Sequence, residues 1–414
     1  MSEKREGPAQ LKATEKGNGG SLPELVPLEP KQVMLEDGTG GILLRDPYGV
    51  LSSPVVVTPP VYFVLAHFDG HRDAPAVVRA LETAGLLGVR IEDVGRIAEQ
   101  AKRAGLVFGP EYEALRSQAL SAYRAGPRLP ACAGTAYPDD ETELHEMLAG
   151  FCTHSDGPGA RNGHSRAGLS VRLLVAPHID FRRGGPAYAH AYRKLEGSDA
   201  ELYVVFGTAH ASPRQLYTLT RQDFETPLGP VATDRTVVDA LASELPEDEL
   251  FTSELVHVHE HSCEFQMVWL RWILGDRPFR VVAVLCSSIS HLQDPAGATA
   301  PFLAALARAT AGRKVCYVAG ADFAHVGPQY GDAQPPTPEQ LGALRNEDQR
   351  TLAFLSAGDT EGFHRHAVAD EKRRLCGVAP IYAAMRASGR GARLLHYSQW
   401  TDGSDMVSFA AAAG

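Results

Sequence analysis

At 414 residues the chain is too long for one ordinary hydrophobic core, and two domains are expected. Its 44% hydrophobic and 22% charged residues are those of a globular protein. A formal net charge of -10 argues against a nucleic-acid or membrane-surface binder, which is usually basic. The six cysteines, Cys132, Cys152, Cys263, Cys286, Cys316 and Cys376, are dispersed with no CxxC pair. That usage fits reduced thiols in a cytoplasmic protein. Met1 to Gln10 lacks the apolar stretch of a secretory signal, and no apolar run approaches the length of a membrane span.

Residues 1–23 are rich in Gly, Lys and Glu, and the composition predicts a disordered tail. A small α+β domain is expected over 24–126. Short strands fall between Val33 and Val57, around Ile42-Leu43-Leu44, the turn Asp46-Pro47-Tyr48-Gly49 and Val55-Val56-Val57. Pro60 to His67 reads as a helix, and Ala74 to Ala84 and Ile91 to Ala104 as amphipathic helices. A β-hairpin beside three helices is a winged-helix-like arrangement. Basic and acidic residues nearly balance from Lys31 to Arg124, so this domain is expected to dock a protein or peptide, or to pack on the second domain, and not to bind DNA. Gly126-Pro127-Arg128-Leu129-Pro130 marks the boundary.

The second domain, 130–414, has a different texture. Val171 to Ala176, Leu202 to Phe206, Phe279 to Cys286 and Val315 to Ala319 are continuous apolar runs, as in strands buried on both faces of a mainly parallel sheet. Helices are expected at Pro186 to Lys194, Asp234 to Ser243, Glu264 to Leu274, Pro301 to Ala309 and, after an exposed loop at Gln334 to Pro338, Glu339 to Phe354. The fold class is therefore α/β, a mainly parallel sheet flanked by helices.

Polar residues cluster where the strands end. The first run delivers His178 and Asp180, the second His210, the fourth Asp322 and His325. The carboxyl ends of neighbouring parallel strands face one crevice, so these loops should converge. Desolvated imidazoles need partners, which makes three together hard to explain as packing. A further segment, Val256 to Glu264, holds His257, His259 and His261. Its first half alternates, so the three histidines could share one face of a strand, of which His257 and His259 read as a solvated edge. His261 and Glu264, three apart at the start of a helix, read as a functional pair.

Seven segments occur in order: Pro130-Ala131-Cys132-Ala133-Gly134-Thr135-Ala136-Tyr137-Pro138, Ala176-Pro177-His178, Gly207-Thr208-Ala209-His210, Thr226-Pro227-Leu228-Gly229, Glu260-His261-Ser262-Cys263-Glu264-Phe265-Gln266, Asp322-Phe323-Ala324-His325 and Leu375-Cys376-Gly377. Together they resemble the Memo family, called AmmeMemoRadiSam system protein B in bacteria, from Pro130 to Gly414. The resemblance implies a fold similar to the class III extradiol dioxygenases, whose iron is held by two histidines and a carboxylate. Memo proteins have a cysteine in the third position and are associated with iron or copper. Carried over, the metal ligands are His178, His210 and Cys376, and the pocket is lined by His261, Glu264, Asp322 and His325 as catalytic candidates. The bacterial name implies radical-SAM and AMMECR-type partners. The N-terminal part resembles the winged-helix-like, PqqD-like segment fused to some bacterial members.

Imidazole and thiolate donors suit iron, copper or zinc, and three protein ligands leave a position open. Asp322 or Glu264 is expected to fix a ligand histidine's second nitrogen, and His325 or His261 to act as general base. Lys372, Arg373 and Arg374 would favour a Cys376 thiolate. Where many relatives read His-Ala-Gly-Tyr, this chain has His178-Ile179-Asp180-Phe181-Arg182-Arg183. Arg182 and Arg183 either bind an anionic substrate group or cover the helix from Pro186. Three readings stand at this point: a metal-dependent oxidoreductase, a metal-binding scaffold without catalysis, and a zinc-water hydrolase.

Overall fold

The computed structural model describes residues 20–35, 38–51, 53–160 and 170–414. Most of the tail expected at 1–23 lies outside them. Its last residues belong to the fold, because Leu22 is buried and its amide donates to the Arg72 carbonyl. The chain divides into two compact units between Ser121 and Ala122.

The first unit carries an antiparallel sheet of three strands, β1 (Glu29–Met34), β2 (Gly40–Arg45) and β3 (Val55–Val57), in that order. Helices α1 (Pro59–Leu65), α2 (Ala74–Thr83) and α3 (Ile91–Arg103) pack Val64, Val77, Leu81 and Val94 onto Ile42 and Leu44. A fourth helix, α4 (Pro110–Arg124), was not expected; it buries only Tyr112 and offers little apolar periodicity to read.

In the second unit α5 (Glu141–Thr153) precedes β4 (Leu173–Ala176), α6 (Phe181–Tyr192), β5 (Leu202–Thr208), β6 (Tyr217–Leu219), α7 (Arg235–Glu244), α8 (Glu247–Phe251), α9 (His261–Leu274) and β7 (Arg280–Cys286). There follow α10 (Pro295–Ala309), β8 (Val315–Gly320), β9 (Asp322–Val326), α11 (Pro338–Ala357), α12 (Thr360–Val368), α13 (Val378–Ser388), β10 (Arg393–Thr401) and β11 (Met406–Ala413). The sheet runs β10-β11-β4-β8-β5-β7-β6, with β9 also on β11. Its centre, β4-β8-β5-β7, is parallel and apolar on both faces, while β6, β9, β10 and β11 pair antiparallel. The sheet is thus mixed around a parallel core. One face is covered by α7, α10, α12 and α13, which pack on Val204, Phe206, Val282, Val284 and Tyr317. Against the sheet also lie α6 and α9, joined by stacked Tyr188 and Trp269 rings 5.5 Å apart.

Two local expectations fail for identifiable reasons. The helix expected from Pro186 begins at Phe181, and Pro186 lies inside it. Asp180 caps it, and the burial of Phe181, Tyr188 and Tyr192 outweighs the one hydrogen bond that proline removes. The alternating stretch before His261 is a 3-10 helix, Glu254–Val258, and not a strand. His257 is consequently no solvated edge: it is 1% exposed and bonds the Thr218 carbonyl through Nε2 at 3.1 Å, while His259 is exposed.

Strand ends position the site. After Gly320 the chain crosses over the end of β4, the Ala321 amide donating to the Ala176 carbonyl at 2.8 Å, and becomes β9. The N-terminus of α9 sits against β5 and β8 so closely that a Cβ on Gly207 would lie 2.5 Å from Ser262 Oγ, and one on Gly320 2.6 Å from the Ser262 carbonyl. The two glycines let the helix that begins with His261 approach the strand ends carrying the other histidines.

Candidate metal centre

His178, His210 and Cys376 converge from three separate segments. Their potential ligand atoms all lie within 4.8 Å of one another. His178 follows β4, His210 follows β5, and Cys376 lies in the turn before α13. Gly377 makes that turn possible: a Cβ there would stand 2.4 Å from the Asp322 carbonyl, which the Gly377 amide bonds at 3.0 Å.

Each imidazole has its Nδ1 committed. His178 Nδ1 donates to the Gly320 carbonyl at 3.0 Å, and His210 Nδ1 faces both Glu260 oxygens at 3.0 and 3.1 Å. These bonds fix the tautomers and make Nε2 the lone-pair nitrogen of each ring. The Cys376 thiol lies 3.1 Å from His178 Nε2. The two rings stand 5.0 Å apart at 72°. Burial, then the neighbouring His210 and His261, holds His178 well below its ordinary pKa, so it is a neutral donor. Two nitrogens and a sulfur at this spacing match the donors of a late first-row transition metal at roughly 2.0–2.3 Å per bond. The donor set therefore fits a metal, and leaves its identity open.

The orienting groups are not the expected ones. Neither Glu264 nor Asp322 holds a ligand's Nδ1; a backbone carbonyl and Glu260 do. Glu260 caps α9, accepting from Ser262 N at 3.0 Å and from the His210 amide at 2.9 Å. Burial opposes its charge, but His210, His261 and these amides together hold the carboxyl well below the usual carboxylate range. The residue precedes His261 in the motif, and its position at a helix N-cap is the signal by which sequence could have found it.

Glu264 was expected to work in the pocket. Instead it is 1% exposed and saturated: Arg128 Nη1 and the Tyr137 hydroxyl bond it closely, and Ala131 N and Cys132 N donate at 3.0 and 2.9 Å. Held by four donors, the carboxylate fastens the Pro130–Tyr137 segment to α9.

Of the remaining candidates, His261 and Asp322 lie against the cluster. The His261 ring stacks on His210 at 4.7 Å and lies 5.4 Å from His178; burial lowers its pKa to about 4 against the pull of Glu260. Asp322 accepts from the His178 amide at 2.9 Å, and its other oxygen is 3.7 Å from His178 Nε2. Burial raises Asp322 to about 7, opposed by the His178 and Ile179 amides. His325, on β9, bonds the Phe323 carbonyl through Nδ1 at 3.0 Å, and burial takes it down to about 4. Its ring centroid is 5.1 Å from that of Tyr330.

The three cations near Cys376 do not activate it. Arg373 is buried against Asp348, Arg374 pairs with Asp332, and Lys372 is exposed. Burial, then the Asp322 charge, raises the thiol well above its ordinary pKa. Metal binding would therefore have to displace a proton from sulfur. Arg182 bonds the Thr135 carbonyl at 3.3 Å, and Arg183 pairs with Asp180 at 2.5 Å and covers the Trp400 ring; both lie on the exposed first turn of α6.

An α/β unit that gathers two oriented imidazoles and a thiol at the carboxyl ends of its parallel strands defines a class of candidate metalloprotein. Residues 128–413 match the model of the Memo-like protein family, and the chain belongs to that family. It is similar to a MEMO1 family protein of Methanopyrus kandleri, 31% identical over 279 residues, 66% of this chain and 91% of that one. A MEMO1 family protein of Aquifex aeolicus is 24% identical over 320 residues, 75% of this chain and 80% of its own. One from Thermus thermophilus is 29% identical over 284 residues, covering 65% and 79%. Among the described residues no helix is long and apolar enough to cross a membrane.

Proposed function

We propose that His178, His210 and Cys376 hold one iron or copper ion and that the protein is a metal-dependent oxidoreductase with a site like that of the class III extradiol dioxygenases. The observation that carries this reading is the convergence of His178, His210 and Cys376, whose ligand atoms lie within 4.8 Å of one another while Nδ1 of each ring is held by another group. A metal here would supply electron transfer and polarisation of a bound oxygen atom. The chain's own residues would do the rest. Asp322, buried beside His178, would hold a proton, and His261, stacked on His210, and His325 on β9 are neutral bases. Zinc fits the same donors, but the soft thiolate and the surplus of titratable groups favour redox chemistry over hydrolysis.

Metal analysis of anaerobically purified protein tests this. Wild type is expected to carry about one equivalent of iron or copper, Cys376→Ser to lose most of it, and Cys376→Asp to keep iron better than copper. Retention of full metal by Cys376→Ser would overturn the assignment.

The non-catalytic scaffold reading, with radical-SAM and AMMECR-type proteins as partners, draws on the first unit. There Met34, Val56 and Phe63 are exposed, and a groove of about 560 Å³ runs along Val33, Gly41, Ile42 and Tyr62. A protein or peptide is the ligand such a face would take. Turnover of any substrate by the metal-loaded protein with the first unit removed would favour the enzyme reading.

A further inference from the structure

We infer that Asp348, on α11, is the positioning residue for Cys376, acting through a buried ion pair with Arg373 and a serine relay to β9. The inference rests on the reading of Cys376 as a metal ligand. Asp348 is 0% exposed and Arg373 1%. Arg373 Nη2 donates to Asp348 Oδ1 at 2.7 Å and to Thr351 Oγ1 at 3.0 Å. The other carboxylate oxygen accepts from Ser408 Oγ at 2.6 Å and from the Tyr397 hydroxyl at 2.9 Å. Ser408 Oγ in turn accepts from the Ala324 amide at 2.9 Å. One carboxylate thus ties down the residue three before Cys376 and the strand that carries Asp322 and His325.

A packing role alone does not explain this arrangement. An apolar pair of similar volume would fill the same space at no desolvation cost. Directional bonds matter where a backbone must be held in an unfavourable shape, and the chain between Arg373 and Cys376 is such a place. Arg374 has φ of 47°, one of two non-glycine residues with positive φ among the described residues. That conformation is disfavoured for an L-residue with a long side chain. It is clamped on its other side by Arg374 Nη2 to Asp332 Oδ1 at 2.6 Å and by Arg374 Nη1 to the His325 carbonyl at 3.2 Å. Two arginines, one buried and one partly exposed, fix the left-handed turn that swings Cys376 toward His178. Beyond it the Cys376 carbonyl is caught by Thr208 Oγ1 at 3.1 Å and Gly377 N by the Asp322 carbonyl. The sulfur is therefore held at both ends, and the upstream hold is the Asp348 pair.

Removing Arg373 alone would leave a buried carboxylate without a counter-ion, so the test uses the double variant Asp348→Asn/Arg373→Met. It removes both charges but keeps the bonds from Ser408 and Tyr397. Arg373→Lys serves as the conservative variant that retains a cation. Two measurements are made on the full-length protein. The first is titration with Co2+, read by the thiolate-to-cobalt charge-transfer band in the near ultraviolet. The second is peptide-resolved maleimide labelling of Cys376 without metal. The double variant is expected to bind Co2+ at least tenfold more weakly with loss of most of the band, and to label at least tenfold faster, while cooperative unfolding persists. Arg373→Lys should recover most of the band. Wild-type affinity and an intact band in the double variant overturn the inference, as does unchanged labelling. If the band of otherwise wild-type protein survives Cys376→Ser, the ligand reading fails instead, and the labelling rate alone decides whether Asp348 holds the turn.

Discussion

Among single residues, Glu260 at the N-cap of α9 and Glu264 in its first turn have opposite assignments, although sequence alone offered Glu264 as the functional one. Glu260 faces His210 and fixes its tautomer, whereas Glu264 is consumed by Arg128, Tyr137 and two amides. Glu260→Gln is expected to weaken metal affinity about 10–100-fold with little change in folding. Glu264→Gln is expected to destabilise the fold by about 3 kcal/mol, because it leaves Arg128 buried without its counter-ion. Competitive metal titration and urea unfolding of both variants check the pair; equal metal loss without destabilisation in Glu264→Gln would reverse the assignment. The spacing that singled out Glu264 was real, since His261 and Glu264 do share the start of the helix. What sequence could not display is that a residue 136 positions away supplies its partner. His257 carries a pH prediction. Burial takes it from 6.5 to about 4 in the fold, against the Thr218 carbonyl bond that favours its charge. Between these values the unfolded chain binds a proton that the folded chain does not. Stability should therefore be unaffected above pH 7 and fall as pH drops from about 6.5 toward 4, by up to about 3 kcal/mol. Urea midpoints at pH 7 and pH 5 should show this fall in wild type and a smaller one in His257→Gln.

At the level of elements, the four parallel strands were legible because each is a continuous apolar run; His178 and His210 follow two of them, whereas Asp322 and His325 lie in a further strand, β9, and not in a loop. The antiparallel additions were not. Met406–Ala413 ends in four alanines, a composition with high helix propensity. It is a strand because it lies between β10 and the pair β4 and β9, where tertiary pairing overrides propensity. α13 and the turn before it were likewise unread, so Cys376 was placed by family resemblance and not by its element. The close seat of α9 on β5 and β8 supplies a prediction. In Gly320→Ala the new methyl meets the Ser262 carbonyl and Gln266. α9 must then shift, carrying Glu260 and His261 with it. A loss of about 1–3 kcal/mol in folding stability and a measurable drop in metal affinity are expected together. Calorimetry and metal titration on the same sample check this; unchanged affinity would mean that the helix seat does not set the site.

Taken as a whole molecule, the chain keeps its candidate metal chemistry in one unit, residues 122–414, which is also where the family match lies. Length led to an expectation of two domains with a boundary near Gly126, and the chain divides into two compact units between Ser121 and Ala122. The groups in the site come from β4, β5, β9, the N-terminus of α9 and the turn before α13, so the site exists only in the folded unit. The central claim is that His178, His210 and Cys376 share one ion. X-ray absorption on full-length protein loaded with a single equivalent of iron or copper tests it most directly. The expected spectrum has one sulfur at roughly 2.3 Å and nitrogen or oxygen neighbours at roughly 2.0–2.1 Å, with the sulfur contribution absent from Cys376→Ser. A metal bound tightly by wild type with no sulfur neighbour would contradict it.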